Sequence, residues 1–167
     1  GRFVREAGFV GGIDITAVYN PHDGSAQQFV DAKWSHSGHD VKTKPAALTE
    51  LETFWELVNA VYIATPHETH FPYVMDALKR DKHVLCEKAF CANAKQAEEV
   101  LVMAEERGLL LTEAIWTRYM PMRKMINDVV KSGIIGKPTS LSANLGYPLE
   151  HKKRLVSPEL AGGALLD

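Results

Sequence analysis

Four clusters place chemically capable residues just after apolar runs: Asn20, Thr65-Pro66-His67, Glu87-Lys88, and Glu113 to Arg118. Lys88 is the sharpest of them. A lysine at the mouth of a buried strand lies beside low-dielectric protein, which disfavours its charged form. Such a group can hydrogen-bond a hydroxyl and take up its proton as a hydride leaves. The same residue also reads as a solvated lysine paired with Glu87, and spacing does not choose between the two. Two H-x-x-H pairs, His36 with His39 and His67 with His70, could bring two imidazoles near one metal. Neither has a third ligand arranged nearby, so no metal is expected. His67 and His70 fall at a helix N-terminus, where histidine and backbone N–H groups meet a phosphate or ribose; His36 and His39 read as a solvated loop. Trp116 and Arg118 are either a core aromatic with a stacked guanidinium or a site where Arg118 meets an anionic phosphate.

The elements that must position these residues alternate. Ile13 to Tyr19 reads as a strand stopped by Asn20-Pro21, and Ser25 to Lys33 as a helix. Pro45 opens a helix carrying Leu48, Leu51, Phe54, Trp55 and Val58. Ala60 to Ala64 is a strand with almost no polar residue, which suits burial on both faces. A helix with Phe71, Val74, Met75 and Leu78 on one face follows, then the strand His83 to Cys86. Asn93 caps a helix with Ala97, Val100, Leu101 and Ala104 inside, ended by Gly108. Leu109 to Thr112 is the next strand, and Pro121 starts a helix with Met122, Ile126, Val129 and Val130 on one face. Strand and helix alternating at this spacing predict an α/β fold: a Rossmann-type doubly wound parallel sheet. In such sheets ligands sit beyond the carboxyl ends of the strands, where all four clusters lie. The looser Pro138 to Tyr147 suits a strand with one wet face, so the boundary is placed at Lys137-Pro138. Residues 1–136 are then a doubly wound domain without its first strand, and residues 137–167 begin a second domain of different architecture. Arg2 to Gly8 reads as the back half of a helix, and the chain as a fragment.

Composition excludes several classes. The 167 residues carry 19 basic and 21 acidic side chains, a net charge of −2, with 46% hydrophobic and 24% charged residues. That is an ordinary globular composition without the basic excess of a nucleic-acid binder. Cys86 and Cys91 are too few for a disulfide scaffold and lack C-x-x-C spacing. No apolar run reaches the roughly 18 residues of a membrane span. The expectation is a reduced, cytoplasmic protein acting on small molecules, with neither membrane nor nucleic-acid partners.

Three ordered motifs add a resemblance. Val61 to His67 with His70, Lys82 to Lys88, and Glu113 to Tyr119 followed by Pro121 closely resemble the Gfo/Idh/MocA oxidoreductases, most of all their dihydrodiol dehydrogenase branch. Gly162 to Asp167 is similar to the start of that family's glycine-rich catalytic segment. The resemblance implies that residues 1–136 are a Rossmann domain binding NAD or NADP, without its first strand and glycine-rich turn, and that 137–167 begin a second α/β domain with an open sheet that holds the substrate and forms oligomers. It implies that Thr65, Pro66, His67 and His70 line the dinucleotide, that Glu87 and Lys88 stand in the Glu-Lys-Pro motif with Lys88 catalytic, and that Trp116 and Arg118 lie near the cofactor. Asp167 would match the aspartate preceding a second catalytic group. Ala89 replaces the motif's proline. Asn20-Pro21 occupies the place where an arginine would hold the extra phosphate of NADP, which leans the reading to NAD. The implied activity is hydride transfer between a nicotinamide and a hydroxyl-bearing carbon of a sugar, cyclitol or related diol. The alternative is a non-catalytic dinucleotide-binding regulator or scaffold.

Overall fold

The computed structural model describes residues 2–34 and 44–163, in two compact units, Gly1–Ala60 and Val61–Asp167. His36, His39 and Asp167 lie outside the described residues.

The first unit runs α1 (Arg2–Ala7), β1 (Ala17–Tyr19), α2 (Ser25–Lys33), β2 (Ala46–Leu48) and α3 (Leu51–Glu56). Val4 of α1 and Val30 and Trp34 of the α2 end form its core, with Phe3, Ile15, Val18, Phe29 and Ala47 packed around them. Strand β1 is shorter than the apolar run that predicts it. The helix expected from Pro45 is a strand followed by a short helix. Ala46 to Leu48 pairs in parallel with Ala17 to Tyr19, extended by bonds from Ala46 N to Thr16 O (2.9 Å) and Asn20 N to Leu48 O (3.1 Å). Backbone pairing between distant segments overrides the helix preference of alanine and leucine here. Helix α3 still buries Phe54 and Trp55, whose rings meet edge-on at 5.2 Å.

The second unit contains β3 (Ala60–Ile63, entered at the unit boundary), α4 (His67–Lys79), β4 (His83–Cys86), α5 (Ala94–Glu106), β5 (Leu111–Glu113), α6 (Pro121–Lys131) and α7 (Lys153–Val156). Its sheet has the order β3-β4-β5, with β4 and β5 parallel and Cys86 opposite Glu113. The sheet of the first unit is the parallel pair β1-β2, so each unit carries a sheet of its own among the described residues.

Strand β3 alternates instead of burying both faces: Val61 and Ile63 are buried, Ala60 is exposed and Tyr62 is half-buried. Helices α4 and α5 pack together and supply the core with Val74, Ala77, Leu78, Val100 and Ala104. Leu101, expected inside, is 50% exposed. Asn93 caps α5 as its type predicts, its Oδ1 accepting from Gln96 N at 3.0 Å. Gly108 ends it at φ +64°, donating to Glu105 O, while Leu109 N donates to Ala104 O at 2.9 Å. That double bond is a Schellman stop. It commits Leu109 to the helix end, and β5 therefore begins at Leu111, two residues later than the apolar run suggests.

Helix α6 starts on Pro121 as expected, but Met122, Ile126, Val129 and Val130 are each at least 40% exposed. The strand expected over Pro138 to Tyr147 does not form: the segment has no regular secondary structure and is exposed. A strand is stable only with a partner ladder, and no described residue provides one.

Candidate active site

The order β3-β4-β5 puts β4 in the middle, so the loop that leaves it, Glu87-Lys88-Ala89-Phe90, is flanked by the ends of two other strands. Lys88 is partly buried there, and the Lys88–Ala89 peptide is cis. Four hydrogen bonds tie this loop to its surroundings. Glu87 N donates to Ile63 O at the end of β3 (2.9 Å). The Glu87 carboxylate accepts from the Tyr62 hydroxyl, also on β3. Ala89 O accepts from His70 Nδ1 of α4 (2.8 Å), and Phe90 N donates to Glu113 Oε1 of β5 (3.2 Å).

His70 is fully buried, with Nε2 2.8 Å from Thr65 O as well. Each ring nitrogen of His70 thus lies within hydrogen-bond distance of a backbone carbonyl, and whichever carries a proton donates to its carbonyl. His67 stands beside it, ring centroids 5.5 Å apart, with Nδ1 3.3 Å from Ala161 O. Thr65 and Pro66 are exposed in the turn after β3; the Thr65 hydroxyl is 2.8 Å from that of Thr69, which donates to Pro66 O at 2.7 Å. No side chain caps the start of α4, whose Thr69 N donates to Pro66 O at 2.9 Å.

The ground beneath the loop is apolar. Burial, then the nearby Cys91, Glu87 and Glu113, pushes the Cys86 thiol well above its usual range. Burial and Glu113 push the Cys91 thiol up to about 11. Burial, followed by the bond to Glu87, raises the Tyr62 phenol strongly, which keeps it a donor. Neither cysteine has the ready thiolate of a nucleophile.

The remaining predicted residues divide. Glu113, through Phe90, joins the Lys88 loop directly. Trp116 and Arg118 lie on a single turn of 3₁₀ helix after β5, and Trp116 is 68% exposed, so it is not a core aromatic. That turn is pinned by Tyr119, whose hydroxyl donates to Glu113 O (3.2 Å) and meets Thr112 Oγ1 at 2.6 Å. Asn20 ends β1 in the first unit, where its Oδ1 accepts from His22 N at 2.9 Å and shapes the following turn. Among the described residues, no three His, Cys, Asp or Glu side chains converge as metal ligands. Sequence reasoning missed Tyr62 and Tyr119. The signal for Tyr62 was a lone hydroxyl in an apolar strand next to one that ends in a carboxylate.

The sequence model GFO_IDH_MocA, described as an oxidoreductase family with the NAD-binding Rossmann fold, matches residues 4–115. The chain belongs to this family. Among curated relatives, D-xylose 1-dehydrogenase (NADP(+)) of Hypocrea jecorina is 41% identical over 66% of this chain and 31% of that protein. The trans-1,2-dihydrobenzene-1,2-diol dehydrogenase of Homo sapiens is 36% identical over 92% of this chain and 48% of that protein. The chain thus spans from a third to a half of the curated relatives it matches. A solved structure of KijD10, a 3-ketoreductase from Actinomadura kijaniata in complex with TDP-benzene and NADP, superposes with a TM-score of 0.60 at 29% identity, covering 74% of this chain and 36% of that one. The Rossmann-type fold expected of the chain therefore holds, with Thr65-Pro66, Glu87-Lys88 and Ala114 to Arg118 following β3, β4 and β5. No described helix is long and apolar enough to cross a membrane.

Proposed function

We propose that this chain is the dinucleotide-binding part of an NAD(P)-dependent dehydrogenase, in which Lys88 exchanges the proton of a substrate hydroxyl. The observation that carries the reading is the place of Lys88: partly buried, on the loop leaving the middle strand, between neighbours bonded from β3, α4 and β5. A proton-transfer group must be held where the reacting oxygen will sit, and a loop bonded on three sides meets that demand. Ala89 keeps the alternative of a non-catalytic homologue in view. Its carbonyl is nevertheless bonded to His70, so the loop is restrained without the proline ring.

The residues present suit a dinucleotide. The exposed Thr65 and Pro66, the uncapped start of α4, and the exposed Trp116 and Arg118 offer hydroxyl, N–H, aromatic and cationic partners at the carboxyl end of one sheet. Thr65, Pro66, His67, Trp116 and Arg118 would hold the nicotinamide half of the cofactor, with Glu87, His70 and Glu113 behind them. Asn20, after β1 in the first unit, is the cofactor-binding candidate of that unit. When bound, the dinucleotide supplies the hydride acceptor. The chain's own share is to position the substrate hydroxyl and to hold or move its proton at Lys88 Nζ. Asp167 belongs to the substrate side.

Asn20-Pro21 offers no cation for a 2′-phosphate, which favours NAD. The NADP named for the xylose dehydrogenase and in the ketoreductase complex points the other way. On that balance we take the cofactor as NAD or NADP and withdraw the lean to NAD. The substrate class is a sugar, cyclitol or related diol, since the relatives are named for a pentose and a dihydrodiol. Residues 1–136 form the cofactor domain and 137–167 begin the substrate domain, through which the whole protein oligomerises; the setting is the cytoplasm. The test is a nicotinamide-absorbance assay of the whole protein with aldoses, cyclitols and cyclic diols, each with NAD and NADP. Reduction with at least one polyol is expected; dinucleotide binding without turnover on the whole panel would favour the regulator instead.

A further inference from the structure

We propose that Tyr62 is a positioning residue for Lys88, acting through the carboxylate of Glu87. The inference rests on the reading of Lys88 as the proton-transfer group and adds a residue to which neither motif nor spacing gives a role. Tyr62 alone breaks the apolar run of β3, and it is half-buried where Val61 and Ile63 on either side are buried. A phenol in that setting needs a hydrogen-bond partner. It finds one on the neighbouring strand's exit, where its hydroxyl donates to Glu87 Oε1. Burial and the adjacent carboxylate hold the phenol in its protonated, donating form far into the alkaline range.

Two bonds from adjacent residues of β3 then grip one residue of the loop. Ile63 O takes the Glu87 backbone N–H, and Tyr62 takes its side chain. With backbone and side chain both fixed, the chain leaves Glu87 toward Lys88 in one direction. On the far side, His70 and Glu113 fix Ala89 and Phe90. Lys88 is the residue between these two anchored pairs. Removing the phenol hydroxyl takes this hydrogen bond from the Glu87 carboxylate, one residue from the Lys88 ammonium. Its release changes both the direction of Lys88 and the charge that Lys88 meets.

The test uses Tyr62→Phe, which keeps the ring and deletes the hydroxyl. In the whole protein, kcat should fall about tenfold, the equivalent of one hydrogen bond lost from the transition-state geometry. The dissociation constant for NAD(P)H should stay within about twofold, because Tyr62 lies under the loop and not among the exposed cofactor partners. In the cofactor-free protein, amide hydrogen exchange of residues 87 to 90 should quicken about tenfold while Val84 and Leu85 keep their protection. In a Glu87→Gln background, Tyr62→Phe should add less to the loss than it does alone, since the two act as one unit. A kcat within twofold of the parent, a loss confined to cofactor affinity, or full additivity with Glu87→Gln would overturn the proposal. If Tyr62→Phe does not fold, Glu87→Gln and Glu87→Ala replace it. Glutamine still accepts from the phenol and should retain several-fold more kcat than alanine; equal values would overturn the proposal. Lys88→Ala separates this failure from that of the underlying reading: turnover that survives it removes the role of Lys88 itself, whatever Tyr62 does.

Discussion

Helices α5 and α6 start from the same kind of sequence and end in different surroundings. Both are amphipathic, both are correctly started, one by Asn93 and the other by Pro121, and both stop at a glycine with positive φ, Gly108 and Gly133. Helix α5 lies on α4 and buries Val100 and Ala104, whereas no residue of α6 is buried and its Met122, Ile126 and Val129 face open space. Local sequence chooses the helix and the face; what covers the face is a tertiary fact. The Lys88 loop stands on the α4 side of this contrast, following the fully buried Cys86 and bonded to the fully buried His70 of α4. The well-packed half restrains that loop.

The contrast breaks first at the core. Leu78→Ala, at a fully buried position of α4, should cost about 2–5 kcal/mol by lost transfer energy and the cavity left behind. Urea denaturation reads that loss as a lowered midpoint with an unchanged slope. The next effect comes from pH. The folded-state Cys91 thiol is raised from 9.0 to about 11, chiefly by burial, so the unfolded chain loses this proton first. The stability it contributes is complete below about pH 9 and drains away as pH rises toward about 11, a loss on the order of 2 kcal/mol. Cys91→Ala should flatten that limb of a melting-temperature-against-pH curve. Asn93→Ala removes the bond to Gln96 N and should cost about 1 kcal/mol, most visible as faster hydrogen exchange in the first turn of α5. The smallest change sharpens the comparison most: Ile126→Ala on α6, 55% exposed, should shift stability by less than about 0.5 kcal/mol. A loss comparable to that of Leu78→Ala would mean that the α6 face is covered.

Much of the scaffold was legible in the residues. Ser25 to Lys33, the Asn93 cap, the Gly108 stop and the His83 to Cys86 strand are where type and spacing place them, because each is set by local geometry. Strand β2 was not legible. Three residues, two of them alanine, carry no period, and only the ladder to β1 makes them a strand. The unpaired Pro138 to Tyr147 fails for the complementary reason, as its alternation is real but has no partner ladder among the described residues. In the candidate site, position at strand ends singled out Glu87, Lys88 and Glu113. The bonds that join them, Tyr62 to Glu87, His70 to Ala89 and Glu113 to Phe90, span 19 to 25 positions in sequence. No local pattern encodes such pairings; they follow from strand order.

The sheet carries Lys88 at the exit of its middle strand, and the proposed function rests on that lysine. The most direct measurement is Lys88→Ala in the whole protein, with turnover on the best polyol and NAD(P)H affinity by calorimetry followed on the same preparation. The account predicts that kcat falls by at least about a hundredfold, the scale of a lost general acid–base group, while cofactor affinity stays within a few-fold. Turnover within about threefold of the parent enzyme, with binding intact, would contradict it.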